Sequence, residues 1–465
     1  MSGTGQSPAV EGRRTGARVP GGRWLVLAVA AALVAAAVGW WAVRGAGGHT
    51  QPHAAASSPA SLVVGGRAVV AEPTEVLVLP TWLDGPDREA LMGLLDVLDE
   101  HYGDAVRFMD NSLTGRTPWA KVRNQNDASG SPNDVVSVDT EVDEGLEENV
   151  ALGRLRDLSG LAGDLSLAQV WPHGVFDQLA TDGRLYRMPA VVDRTNLLWS
   201  NPDALRAAGL DPHATLSSVD AWIAAMKAVA ATGKQPLVVG GARSRALLLE
   251  DLLLAGLGAE GCRGLWAGTV GWGDPRVSAA LAQFREILTM TKVVGADDGD
   301  ETWAGALDEV IRGTAAFTVA DDQVAERLVE RVRHLGTDVM VQVAPGTSEA
   351  FAYVTDSFAW DAASANEQGA VAWFEVESSL EGQTAVALAR GGVPVRTDVD
   401  QEPLDDFARA QMADWAIVAT VPSAMIGGAV PRSLSDAFAR NVERLAKGQI
   451  TPHGFAARMA DPTRR

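Results

Sequence analysis

From Glu75 onward the chain alternates short apolar strands with amphipathic helices, and that alternation limits it to a few architectures. "EVLVLP" (Glu75–Pro80) is an apolar strand. It runs into "GPDREALMGLLDVLDEHYG", where Pro86 suits a first helical turn and Leu91, Leu94, Leu95 and Leu98 mark one apolar face. "AVRFMD", "NDVVSVD" and "QPLVVGG" repeat the strand texture. "SSVDAWIAAMKAVAATG" carries a Ser cap, an apolar stripe at Val219, Trp222, Ile223 and Met226, and a stop at Gly233. Strands alternating with helices predict largely parallel sheets covered on both faces. About 390 residues of this texture exceed one comfortable core, so two α/β lobes are expected.

Sheets of this kind bind ligands just beyond the carboxyl ends of their strands. Three segments meet that condition: Thr81-Trp82-Leu83-Asp84, Ser137 to Asp139, and Asp193-Arg194. The last closes an apolar run in "YRMPAVVDRTNLLWSNPDALRAAGL". There an acid–base pair is either a pocket element or an ion pair bracing a hinge. Trp82 stands past a strand end and is a candidate stacking surface. Trp222, Trp266, Trp272, Trp373 and Trp415 read as core, because a Trp buries a large area.

Charge and chemistry exclude several classes. Lys and Arg number 39 against 59 Asp and Glu, a net charge of −20, which opposes nucleic acid binding. The single cysteine, Cys262, can form neither an internal disulfide nor a cysteine metal cluster. His49 and His53 stand four apart only in a Gly- and Pro-rich stretch, and the other His residues fall in no zinc-binding spacing, so no metal and no cofactor is expected. "ADDGDETW" lacks the spacing of a calcium loop, and "ATGKQP" has Gln235 where a phosphate loop needs Ser or Thr. No Gly-x-Ser-x-Gly elbow occurs, and the adjacent Asp321-Asp322 cannot oppose each other as glycosidase carboxylates do. A binding protein rather than an enzyme is expected.

The N-terminus has its own logic. Trp24 to Val43, "WLVLAVAAALVAAAVGWWAV", contains no charge and has the length that spans a bilayer. Arg13, Arg14, Arg18 and Arg23 precede it, offset only by Glu11. The positive-inside rule then places residues 1–23 in the cytoplasm, a transmembrane anchor at 24–43, and the rest outside the cell. A cleaved signal peptide is the rival reading, but its apolar region is ordinarily shorter. Residues 44–72, rich in Gly, Ala, Ser and Pro, read as a flexible linker before a domain at 73–465.

Several motifs together resemble one family. "YRMPAVVDRTNLLWSNPDALRAAGLDP", "GLWAGTVGWGDPRV", "IRGTAAFTVADDQVAERL", "TDSFAW", "GGVPVRTDVD" and "PSAMIGGAVP" occur in the order found in family 1 extracellular solute-binding proteins. These are the sugar receptors of ABC importers, and the glucose/mannose-type subgroup is the nearest match. The resemblance spans roughly residues 74–455 and implies a two-lobe, type II periplasmic-binding-protein-like α/β fold, here preceded by one transmembrane helix. It implies lobe crossings near 188–196, 315–323 and 390–400. It assigns ligand contacts to Trp82, Asp84, Asp87, Ser137, Asp139, Asp193, Arg194, Gln323, Asp356 and Arg390. The implied partners are a sugar or sugar-like molecule, ABC permease subunits and the membrane.

The sequence departs from the family at telling places. Gln323 stands where the family has the Trp of a Gly-Asp-Trp turn, and Asp321 where it has the Gly. Asp193 stands where the subgroup has the His of a His-Arg pair, and Ile426 where a terminal His occurs. These losses keep a second expectation open: the same fold serving as a sensor or interaction domain with an altered pocket.

Overall fold

The computed structural model describes residues 62–83, 85–110, 133–139, 146–295, 301–324, 328, 334–426 and 430–461. The expected anchor at 24–43 lies outside them. Among the described residues, no helix is long and apolar enough to cross a membrane.

A hairpin of β1 (Val63–Val64) and β2 (Arg67–Ala68) comes first. The expected linker is therefore not flexible throughout. Ala68 is buried, its amide donates to Tyr102 Oη (3.1 Å), and the Ala71 amide donates to Gln368 (2.8 Å). Tyr102 Oη in turn donates to Glu375 (2.6 Å), fixing the hairpin to two helices at once. The Gly and Ala content hid this, because only the few apolar residues around Leu62 and Ala68 dock.

Two sheets carry the fold. The first has six strands: β3 (Thr74–Leu79), β4 (Val106–Asp110), β5 (Val135–Asp139), β6 (Met188–Arg194), β12 (Ala350–Trp360) and β13 (Ala419–Pro422). Their order is β13-β12-β5-β3-β4, with β6 pairing along β12 as well. The second has five: β7 (Leu197–Ser200), β8 (Gln235–Val239), β9 (Thr291–Val293), β10 (Ala315–Val319) and β11 (Met340–Val343), in the order β11-β7-β10-β8-β9.

Both sheets are mixed rather than largely parallel. β3 runs parallel to β4 and β5, but β12 is antiparallel to β5 and β6. In the second sheet β8 is parallel to β9 and β10, while β7 is antiparallel to β10 and β11. β12 and β7 are each entered by a crossing from the other lobe, so no helical crossover precedes them, and β13 runs parallel to β12. Every residue of β6, β10 and β12 is buried, as expected of strands covered on both faces.

Each sheet has its own core. Val76, Val78, Leu91, Leu94, Leu98, Trp373 and Trp415 pack around the first, and Trp222, Met226, Leu237, Phe284, Phe317 and Phe438 around the second. The Ser218 cap and the stripe at Val219, Trp222, Ile223 and Met226 occur as the sequence indicates, with Ser218 Oγ accepting from the Ala221 amide. Trp266 is only partly buried, against Trp272 and Phe438.

Among the described residues the chain passes between the sheets three times. β6 ends at Arg194 in the first and β7 begins at Leu197 in the second. The return runs between Val343 and Ala350. A last passage follows β13, after which Ala424, Val430, Leu434 and Phe438 join the second core. The crossings expected at 315–323 and 390–400 are not found there. β10 is held between β7 and β8 on both edges. Val393 bridges Val192, and Val395 and Val399 lie in the first core. After β10, Ala320, Val324 and Leu328 still pack with Leu197 and Trp199 of the second lobe.

Asn196 fastens the first two crossings together. Its Nδ2 donates to Thr347 Oγ1 (2.8 Å) and to the Ala350 carbonyl (3.1 Å), and its Oδ1 accepts from the Ala352 amide (3.1 Å). Glu250, on the helix Ala242–Trp266, fastens the third. It accepts from Ser423 Oγ (2.7 Å) and the Ala424 amide (2.6 Å). Burial raises the Glu250 carboxyl to about 7, against those stabilising donors.

Candidate functional site

A polar cluster beside the end of β6 is organised around Arg390. This residue ends the helix Leu380–Arg390, where the helix dipole favours a cation. Gly391 terminates that helix in the left-handed conformation (φ 71°), its amide donating to the Ala387 carbonyl (2.9 Å). Gly392 then lets the chain press onto β6. A Cβ there would sit 2.6 Å from Val191 Cγ2 and 2.7 Å from Asp193 Oδ1. That close approach seats the Val192–Val393 bridge and brings Arg390 beside Asp193.

Three carboxylates surround the guanidinium. Asp356 accepts a hydrogen bond from Nη1. Asp193 Oδ2 lies 3.6 Å from Nη2. Asp87 Oδ1 lies 2.9 Å from Nε, an ion pair without hydrogen-bond alignment. The guanidinium carbon stands 5.2 Å from the Trp82 ring centroid, within cation–π range. The Arg390 side chain is 4% exposed. Burial works against its charge, but Asp356, Asp193 and Asp87 more than offset it and hold its pKa above the ordinary value.

Each partner comes from a different element. Asp87 lies in the first turn of the helix Gly85–Tyr102, which packs against Leu380–Arg390 with Gly93 opposite Ala385. Asp356 lies in β12 at an irregularity of its pairing with β6. Bulges of this kind re-aim side chains next to functional sites. Trp82 follows β3 and packs edge-on against Phe358 (5.5 Å between centroids). It is 2% exposed, so it forms a covered wall of the cluster rather than an open stacking platform. From the second lobe, Gln323 Nε2 donates to Asp193 Oδ2 (3.4 Å).

Asp193 and Arg194 separate. Consecutive strand residues point to opposite faces, and the two take separate partners accordingly. Asp193 joins the Arg390 cluster. Arg194 is fully buried elsewhere: Nη1 donates to Asp414 (2.6 Å) and Gln411 (2.7 Å), and Nε to Asn196 (3.0 Å). Its guanidinium lies 4.5 Å from the Phe351 ring centroid. Burial lowers its pKa, while Asp414, Asp322 and Asp251 oppose that shift. Arg194 is a framework residue joining two crossings to the helix Asp406–Ile417, not a wall of the cluster.

Of the ten residues singled out from sequence, Trp82, Asp87, Asp193, Gln323, Asp356 and Arg390 share one cluster. Asp84 lies outside the described residues, as do the side chains of Ser137 and Asp139. The backbone places Asp139 directly across from Asp356 and Ser137 from Phe358. Asp322 was overlooked as a site residue. Its Oδ2 accepts from the Arg194 amide (2.9 Å) and its own amide donates to the Arg194 carbonyl (3.1 Å). Burial and the charge of Asp193 push its carboxyl well above the usual range. Gly392 was also missed; the pair Gly391-Gly392 after a basic helix end was the available signal.

Residues 111–420 match the family model described as bacterial extracellular solute-binding protein. The chain belongs to that family. Among curated relatives of these solute-binding proteins, a Brucella melitensis protein described as a probable sugar-binding periplasmic protein is 24% identical over 415 residues, 86% of this chain and 94% of its own. A Pyrococcus horikoshii protein described as an uncharacterized ABC transporter extracellular-binding protein is 22% identical over 267 residues, 57% of this chain but only 59% of its own. Among solved structures, the cyclic alpha-maltosyl-1,6-maltose binding protein from Arthrobacter globiformis superposes with a TM-score of 0.66 at 16% identity. It covers 84% of this chain and 98% of that one, so the solute-binding protein fold is shared across both lobes.

Proposed function

We propose that this chain is an extracellular receptor that captures a carbohydrate-like ligand between its lobes and hands it to an ABC importer. The observation that carries the reading is the interlobe cluster of Trp82, Asp87, Asp193, Gln323, Asp356 and Arg390. Carboxylate, amide and guanidinium groups are the chemistry that holds the hydroxyl rim of a pyranose, and the covered Trp82 ring backs them. The names of the relatives support the same substrate class. Asn196, Asp322 and Glu250 join the crossings in a way that suits lobe closure as a hinge motion. Residues Trp24–Val43 would tether the receptor to the membrane with its lobes outside. Membership of the glucose/mannose-type subgroup rests on the motif order.

A second reading, a sensor domain with an altered pocket, draws on one observation: Arg390 already fills the cluster. Thermal unfolding of the full chain with a panel of mono- and disaccharides tests the first reading, since a ligand of the folded state raises the Tm by mass action. A rise that disappears in Asp356→Ala supports capture for transport. No rise across the panel refutes it and leaves the sensor.

A further inference from the structure

We propose that the ligand carries a positive charge, an ammonium or guanidinium group on a saccharide-like frame, and that this group takes over contacts now made by Arg390. The inference rests on the receptor reading above and narrows its substrate class.

The seat of the Arg390 guanidinium is built as a cation receptor. It has an indole face at 5.2 Å and carboxylates from a helix start, a strand end and a strand middle. Asp193 and Asp356 are buried. A neutral ligand that expelled the guanidinium would leave those carboxylates without the charge that now compensates them. Uncompensated buried charge is among the most expensive states a protein interior can hold. A cationic ligand makes the exchange at constant charge. The displaced group has somewhere to go: Arg390 has a long flexible stem, and it is the last residue of its helix, followed by two glycines. Asp87 is the exposed member of the set, with 41% of its side chain open to solvent, and is the point of entry. The net charge of −20 draws a cation inward.

Charge exchange and hydroxyl recognition predict opposite signs for one substitution. If a ligand cation competes with Arg390, Arg390→Met vacates the seat and tightens binding. If a neutral sugar uses the guanidinium as a donor, Arg390→Met weakens it. The full chain, purified in detergent, is titrated calorimetrically with glucose, glucosamine, N-acetylglucosamine and agmatine. Glucosamine is expected to bind at least tenfold more tightly than glucose or N-acetylglucosamine. Arg390→Met is expected to strengthen glucosamine binding severalfold, and Asp356→Asn to weaken it more than it weakens glucose.

Should Arg390→Met fail to fold, the Asp356→Asn comparison and the three-sugar ratio in the unsubstituted chain decide the matter. Equal or tighter binding of glucose overturns the proposal while the saccharide reading stands. Binding of agmatine alone supports the charge and removes the saccharide. Binding of none of the four overturns both.

Discussion

Replacing Arg194 with Met separates a framework arginine from a pocket arginine. Met keeps much of the aliphatic volume against Phe351 and deletes the charge. The buried side chain loses charge-assisted hydrogen bonds to Asp414, Gln411 and Asn196. Breaking a fully buried ion pair costs about 3–5 kcal/mol. Here the partner Asp414 is 36% exposed and rehydrates, which lowers the cost. Asn196 Oδ1 still accepts from the Ala352 amide, and the Ala350 carbonyl still accepts from Asn196. Gln411 Oε1, on a buried residue, loses the Arg194 donor, a penalty of about 1–3 kcal/mol. The total is about 3 kcal/mol. For about 400 residues unfolding together, an entropy near 2.1 cal/mol/K per residue turns that into a drop of about 4 °C in Tm. Circular dichroism melting measures it. Any ligand affinity found for the unsubstituted chain should survive within about threefold, because Arg194 faces away from the Arg390 cluster. An unchanged Tm with lost binding would refute the assignment of Asp193 and Arg194 to opposite faces.

Three other outcomes are expected. Glu250 has a folded pKa raised to about 7, above the unfolded value of about 4.3, so the folded state holds a proton the unfolded state has released between those pH values. Its contribution to stability is present below about pH 4.3 and falls as pH rises toward 7; urea titrations at pH 5 and 7.5 should show a shallower pH dependence in Glu250→Gln. Gly392→Ala forces Val191 and the Asp193 carboxylate aside, so a destabilisation of about 1–3 kcal/mol is expected, together with weaker ligand binding; wild-type melting and binding would show that the approach of β6 is not tight. Cys262 is buried, and burial raises its thiol pKa far above the ordinary value; a thiol reagent should label it only in denaturant, and fast labelling of the native chain would contradict its packing against Leu254 and Val421.

Much of the fold was legible along the chain. Strand and helix identities follow from local periodicity, as at Glu75–Leu79 and Val219–Ala231, because burial on one face writes itself into spacing. The strand-end rule pointed to Trp82 and Asp193 for the same reason: chain direction alone sets which end of a strand opens on a cleft. Strand direction within the sheets did not follow, since β12 and β7 are reversed by crossings that leave no periodic mark. Nor did the hairpin at Val63–Ala68, where low-complexity sequence conceals a docked turn.

What the sequence determined by itself is the two-lobed α/β class, the acidic balance and the short roster of polar residues from which a site could be drawn. What tertiary structure decided is the company those residues keep. Asp193 and Arg194 are neighbours in sequence, yet one meets Arg390, 197 positions on, and the other meets Asp414, 220 positions on. Strand alternation turns adjacent side chains apart, and only the packing of two helix ends and a glycine against β6 supplies the partners that await each.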